Sequence, residues 1–200
     1  MKKTEALIVV DYQNDFAHPE WSLYVQGWEK LVNYINSLMR EVKSRSWIII
    51  TSQDWHPKKH ISFASRFQIP EYSLLEWERK WPDHCVEETW WADFWEGFDK
   101  NLVDRKVLKW FDENLDSYSS FGWIEEETGK NLEEILQSYQ IKVLNIVWLA
   151  TEYCDFFTVR DAINKWYKVN VFTQAIAPVN QEDWEKAIKE MEKMGAIILP

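Results

Sequence analysis

The chain has 200 residues, enough for one domain with a sizeable core, and a formal net charge of −10, which argues against a nucleic-acid surface. Its two cysteines, Cys85 and Cys154, lie far apart and make no disulfide framework, so a reducing compartment, the cytoplasm, is expected. No stretch is long enough to span a bilayer, and the apolar run before Asp11 is too short for the core of a signal peptide, so no membrane partner is expected.

In chain order, Ala6–Val10 reads as a first strand ending in Asp11. Trp28 to about Lys43 has helical periodicity, with Leu31, Val32, Ile35, Leu38, Met39 and Val42 on one face. Trp47–Thr51 is the second strand, and a long irregular segment, Ser52 to about Glu88, follows with three of the four histidines. A helix is expected over Trp90–Phe98, a short third strand over Val107–Lys109, and a loop over Asp112–Gly122. Asn131–Tyr139 is a helix, Val143–Val147 a fourth strand, and a helix from about Glu152 to Lys165 follows, with Thr151 as its cap. Val169–Thr173, Gln181–Met194 and Ala196–Leu199 complete the pattern as strand, helix and strand.

Strands that are near-continuous apolar runs, alternating with helices, predict a three-layer α/β/α domain over 1–200 with a six-stranded, mainly parallel sheet. Ligands of such sheets bind at the carboxyl ends of the strands. Asp11, Asp54, Lys109 and Cys154 all fall at or just past such ends.

Cys154 falls in the first turn of its helix, where free N–H groups and the helix dipole favour a thiolate, so it is a candidate nucleophile. Taken alone, an inert buried cysteine explains it as well. Asp54-Trp55-His56 places a carboxylate and an imidazole two residues apart, on one side of an extended chain. Alone such a pair is most often a surface loop feature, but His84 lies further along the same 52–88 segment, and a carboxylate with two imidazoles suits a divalent transition metal; a segment that long is usually functional or disordered. His60 is a further candidate ligand, with a polar loop residue as the competing reading, and Cys85 reads as a small packing residue.

Five stretches together resemble the isochorismatase-like cysteine hydrolases and, among them, the nicotinamidases. They are Ala6-Leu-Ile-Val-Val-Asp-Tyr-Gln-Asn-Asp-Phe16, Thr51-Ser-Gln-Asp-Trp-His-Pro-Lys-Lys-His-Ile-Ser-Phe63, Trp81-Pro-Asp-His-Cys-Val86, Asp116-Ser-Tyr-Ser-Ser-Phe121 and Ala150-Thr-Glu-Tyr-Cys154. The resemblance implies a triad of Asp11, Lys109 and Cys154, with the backbone N–H groups of Ala150 and Cys154 as an oxyanion hole and a cis Leu149–Ala150 peptide. It implies a metal on Asp54, His56 and His84, zinc first and iron or manganese as alternatives, and a pocket walled by Phe16, Trp81 and Tyr118. The activity implied is hydrolysis of nicotinamide to nicotinate and ammonia through a Cys154 thioester; homo-oligomerisation is left open. Other isochorismatase-type hydrolases share the triad, and a binding protein with a blocked pocket remains the alternative from another class.

One feature departs from the family. Trp21, Trp91, Trp110 and Trp148 stand where the resembled family usually has glycine, and the chain has 14 Trp and only 5 Gly against an average glycine usage of about 7 %. A source that reads a reassigned stop codon as glycine would produce this pattern, and genuine divergence with a reshaped pocket is the other reading.

Overall fold

The computed structural model describes residues 4–21, 23–109, 112–115, 118–149, 156–177 and 180–200. In chain order the strands and helices are β1 (Glu5–Val10), α1 (Asn14–Ala17), α2 (Val32–Ser44), β2 (Ile48–Asp54), α3 (Ala64–Phe67), β3 (Leu74–Leu75), β4 (Glu78–Arg79), β5 (Arg105–Lys109), α4 (Leu132–Ser138), β6 (Val143–Leu149), α5 (Phe156–Asn164), β7 (Lys168–Ala177), α6 (Gln181–Met194) and β8 (Ile197–Leu199).

Six strands form one sheet in the order β5-β2-β1-β6-β7-β8, and every pairing within it is parallel. Counting only these six, the order is 3-2-1-4-5-6, the doubly wound arrangement. Right-handed crossovers running outward from β1 and from β6 put their helices on opposite faces. The α/β/α expectation therefore holds. The apolar runs of β1, β2 and β6 are buried because they occupy the middle of this sheet, and Ala6–Val10, Ile48–Ile50, Leu144, Ile146 and Val147 form the core. The direction of winding reverses between β1 and β6, so a crevice opens past Val10 on one side and past Leu149 on the other.

The helices carry local signals that explain their ends. Asn131 accepts the N–H of Glu134 while the Glu134 carboxylate accepts the N–H of Asn131, a reciprocal cap that starts α4. Asn180 caps α6, and Gly195, at φ +109, ends it.

Several expectations need correction. The helix expected from Trp28 begins at Val32, after a 3₁₀ turn over Trp28–Lys30, and the strand expected over Val169–Thr173 runs over Lys168–Ala177. The region from Trp90 to Phe98 is not a helix; a 3₁₀ turn covers Trp90–Ala92 only. The chain there bonds to the segment after β1 instead: Asn14 N–H to Asp93 O at 3.0 Å and Trp95 N–H to Tyr12 O at 2.8 Å. The second strand does not stop at Thr51 but continues to Asp54, because Ser52, Gln53 and Asp54 pair with Val107, Leu108 and Lys109 of β5. The segment expected to be irregular also holds a small hairpin, β3 with β4. The expected helix start at Thr151 and the Leu149–Ala150 peptide lie outside the described residues.

Candidate active site

Asp11 is the first residue past β1, and its φ of +47 lies in the left-handed region that side-chain-bearing residues seldom adopt. Such backbone strain persists where the surroundings fix it. Here Ser52, at the matching end of β2, does so: its hydroxyl donates to Asp11 Oδ1 at 2.7 Å, and the Asp11 N–H donates to Ser52 Oγ at 3.2 Å. The other carboxylate oxygen accepts from Lys109 Nζ at 2.9 Å. Burial drives the Asp11 carboxyl up to about 6; the nearby Asp54 carboxylate pushes the same way, and Lys109 and the Ser52 hydroxyl oppose it.

Lys109 closes β5 and is fully buried, which a charged lysine tolerates only when paired. It lies between two carboxylates, Asp11 and Asp54, with its Nζ 2.5 Å from Asp54 Oδ1. The indole of Trp123 lies beneath the same amine, 5.0 Å from ring centre to Nζ.

Asp54 closes β2. Its Oδ2 lies 3.9 Å from Nε2 of His56 and 3.9 Å from Nε2 of His84. One donor atom from each of the three residues falls within 4.8 Å of the other two, and all three side chains are buried. The Nδ1–H of His84 donates to the Pro82 carbonyl at 2.8 Å, which leaves its Nε2 lone pair on the side of Asp54 and His56. Burial pushes His56 well below its ordinary value and His84 down to about 4, so both rings are neutral at pH 7. Two neutral imidazoles and a carboxylate converging from three directions suit a divalent transition metal, whose bonds of roughly 2.0–2.2 Å need only a small inward shift of the donors. The residues fit the group.

Gln13 holds this arrangement from behind. Its amide nitrogen donates to Asp54 O at 2.8 Å and to Ala92 O at 2.7 Å, and its amide oxygen accepts the Asp54 N–H at 2.8 Å. His60 is buried beside His56, at 4.6 Å between ring centres. Its Nδ1 pairs with Ser62 Oγ at 2.8 Å and its Nε2 with Leu115 O at 3.1 Å, so both ring nitrogens are engaged away from the Asp54 group. Cys85 is a buried free thiol pushed well up by burial, in line with a packing role.

The aromatic residues expected around a pocket gather nearby. The ring of Phe16 lies 6.1 Å from that of His84. The Trp81 indole N–H donates to the Tyr118 hydroxyl at 3.1 Å, and the Tyr118 ring stacks on Phe157 at 5.6 Å. Ala150, Cys154 and Trp110 lie outside the described residues, as does the Trp148 side chain. Sequence reasoning missed Ser52, Gln13, Asp15 and Trp123. For Ser52 and Gln13 the available signal was a polar side chain within, or shortly after, a strand otherwise buried on both faces; Asp15, in α1, gave none.

The family description "Isochorismatase domain" matches residues 5–200. A nicotinamidase of Escherichia coli strain K12 is 35 % identical over 199 residues, covering 96 % of this chain and 93 % of its own. The crystal structure of a pyrazinamidase of Pyrococcus horikoshii in complex with zinc superposes with a TM-score of 0.82 at 33 % identity, covering 98 % of each chain. A structure from L. infantum in complex with nicotinate gives 0.81 at 28 % identity, covering 100 % of this chain and 93 % of that one.

Proposed function

Since the chain belongs to the isochorismatase family, we propose that it is a metal-dependent nicotinamidase, one domain over 1–200 that hydrolyses nicotinamide to nicotinate and ammonia. The observation that carries this reading is the buried chain Asp11–Lys109–Asp54, which joins a strained carboxylate at the end of β1 to a His₂–carboxylate cluster at the end of β2. The zinc in one structural relative and the nicotinate in another support it.

Cys154 supplies the nucleophile. Asp11 takes its thiol proton as sulfur bonds to the carboxamide carbon, then gives that proton to the nitrogen as the C–N bond breaks and ammonia leaves. Asp11 next draws a proton from water, whose oxygen bonds to the thioester carbon; the C–S bond then breaks, Asp11 returns that proton to the sulfur, and the acid product leaves as nicotinate, its own proton lost to solvent. Lys109 keeps Asp11 ionised despite its burial, and the N–H groups of Ala150 and Cys154 receive the negative oxygen of each tetrahedral state. Phe16, Trp81 and Tyr118 wall the ring. Asp54, His56 and His84 would hold the metal, zinc in the first instance with iron or manganese as alternatives. When bound, it would supply a Lewis acid toward the pyridine nitrogen.

The same reading places the protein in the cytoplasm, in recycling of nicotinamide toward pyridine nucleotides, with a small molecule rather than a nucleic acid or membrane as its partner. No helix among the described residues is long and apolar enough to cross a membrane. Rapid quenching of the reaction followed by peptide mass analysis tests the chemistry. A nicotinoyl adduct on the Cys154 peptide, absent in Cys154→Ala, is expected. Turnover by Cys154→Ala at the wild-type rate would refute it.

A further inference from the structure

One buried carboxylate has no part in the chemistry above. Asp15, in α1, has no exposed surface; its Oδ2 accepts the backbone N–H of Cys85, and its Oδ1 has no hydrogen-bond partner among the described residues. A carboxylate so placed costs stability, which points to a role in the site. Cys85 has φ +43, again a left-handed conformation in a residue with a side chain. It directly follows His84, and its carbonyl accepts the His56 N–H at 2.9 Å, while Glu87 N–H returns to His56 O at 2.9 Å. One strained peptide therefore connects the two histidines, and Asp15 fastens it.

We propose that Asp15 is the positioning residue of the metal centre, holding the Cys85 turn so that His56 and His84 converge with Asp54. The proposal rests on reading these three as metal ligands. Zinc affinity of stripped full-length protein, measured by competition with a chromophoric chelator, tests it alongside the melting temperature of the metal-free forms. Asp15→Ala is expected to weaken zinc binding about 10–100-fold with metal-free melting unchanged or raised. Asp15→Asn, which keeps an oxygen for the Cys85 N–H, is expected to recover most of the affinity. Wild-type affinity in Asp15→Ala, or a loss that only tracks a fall in metal-free melting, would overturn the proposal. Asp54→Ala in the same assay tests the ligand reading separately: undiminished zinc binding there would remove the metal centre itself.

A second observation stands apart from the site. Trp77 and Trp166 have φ of +72 and +68, with 96 % and 93 % of their surface exposed. Glu76 and Trp77 form the two-residue loop between β3 and β4, closed by the Leu75–Glu78 pair, and both have positive φ. That is the type I′ hairpin, whose second loop residue is characteristically glycine. Trp166 follows α5 with its N–H on Ile163 O at 2.9 Å and the next N–H, of Tyr167, on Ala162 O at 3.0 Å. The same pair of bonds closes α6 at Gly195, and also α2 at Ser46 (φ +63) and α4 at Gln140 (φ +59), so the position tolerates short or flexible side chains besides glycine, while a bulky exposed indole is the outlier. This is the Schellman ending, and its left-handed position favours glycine. Trp21 and Trp91 are different: their rings stack at 3.9 Å and neither has a positive φ.

We infer that the protein made by its source carries glycine at positions 77 and 166, encoded by a TGA triplet that the source reads as glycine. Sequencing the gene and weighing the corresponding peptides of the natural protein test this directly. TGA at both positions, with glycine masses, is expected, and TGG at Trp81, whose indole bonds Tyr118. TGG at position 77 or 166, or a tryptophan mass at either, would overturn it.

Discussion

The Nζ of Lys109 lies 2.5 Å from Oδ1 of Asp54, the residue whose other oxygen faces His56 and His84. Since the same amine holds Asp11 at 2.9 Å, one cation connects the proposed proton carrier to the proposed metal centre. Replacing it with a neutral group of similar length leaves two buried carboxylates facing each other. Lys109→Met is expected to lower kcat/KM by at least about 100-fold. It is also expected to destabilise the fold by roughly 3–5 kcal/mol in urea unfolding, because an uncompensated buried charge remains.

The pH profile follows from Asp11. Its carboxyl is raised from 3.8 to about 6, chiefly by burial. Only the carboxylate can accept the Cys154 proton, so kcat/KM should fall on the acid side as Asp11 protonates. The linkage for stability has the opposite sign: a raised carboxyl stabilises the fold below 3.8 and loses that contribution as pH rises through 6. The acid limb is therefore expected without unfolding due to this group, which circular dichroism at each pH checks. In Lys109→Met, residual activity should show the limb moved upward.

Gln13 grips both the N–H and the C=O of Asp54. Gln13→Ala leaves a buried N–H without its acceptor and frees the Asp54 backbone. Zinc affinity is expected to drop about 10-fold or more, and stability by roughly 1–3 kcal/mol. Chelator competition and urea unfolding measure the two losses.

His60 and His84 are expected to behave differently although both are buried histidines next to His56. The ring nitrogens of His60 are engaged by Ser62 and Leu115, while Nε2 of His84 faces Asp54. His84→Ala should abolish tight zinc binding, and His60→Ala should retain it within a few-fold. Equal loss in both would place His60 among the ligands.

The sheet was legible because buried parallel strands leave long apolar runs. Helix α6 was legible to its last residue because Asn180 and Gly195 mark its ends. Trp90–Phe98 misled because its aromatic spacing serves the packing around Tyr12 and His18 rather than a helix. Its backbone bonds go to Tyr12 and Asn14, and no local pattern encodes that. The metal-type residues were legible as Asp54-Trp55-His56 and His84. Their supports were not: Gln13 and Asp15 act through backbone groups of Asp54 and Cys85, and Ser52, which grips Asp11, is brought close only by the β1–β2 pairing. The approach of Lys109 to both Asp11 and Asp54 depends on β5 lying next to β2, an adjacency the chain order does not fix.

The central claim is that Cys154 and a metal held by Asp54, His56 and His84 together hydrolyse nicotinamide. Ammonia release from nicotinamide by purified protein tests it most directly, measured before chelation, after chelation, after zinc is returned, and in Cys154→Ala. Release that chelation stops, zinc restores and Cys154→Ala lacks is expected. Release that persists in full after chelation, or no release from folded, zinc-loaded protein, would contradict it.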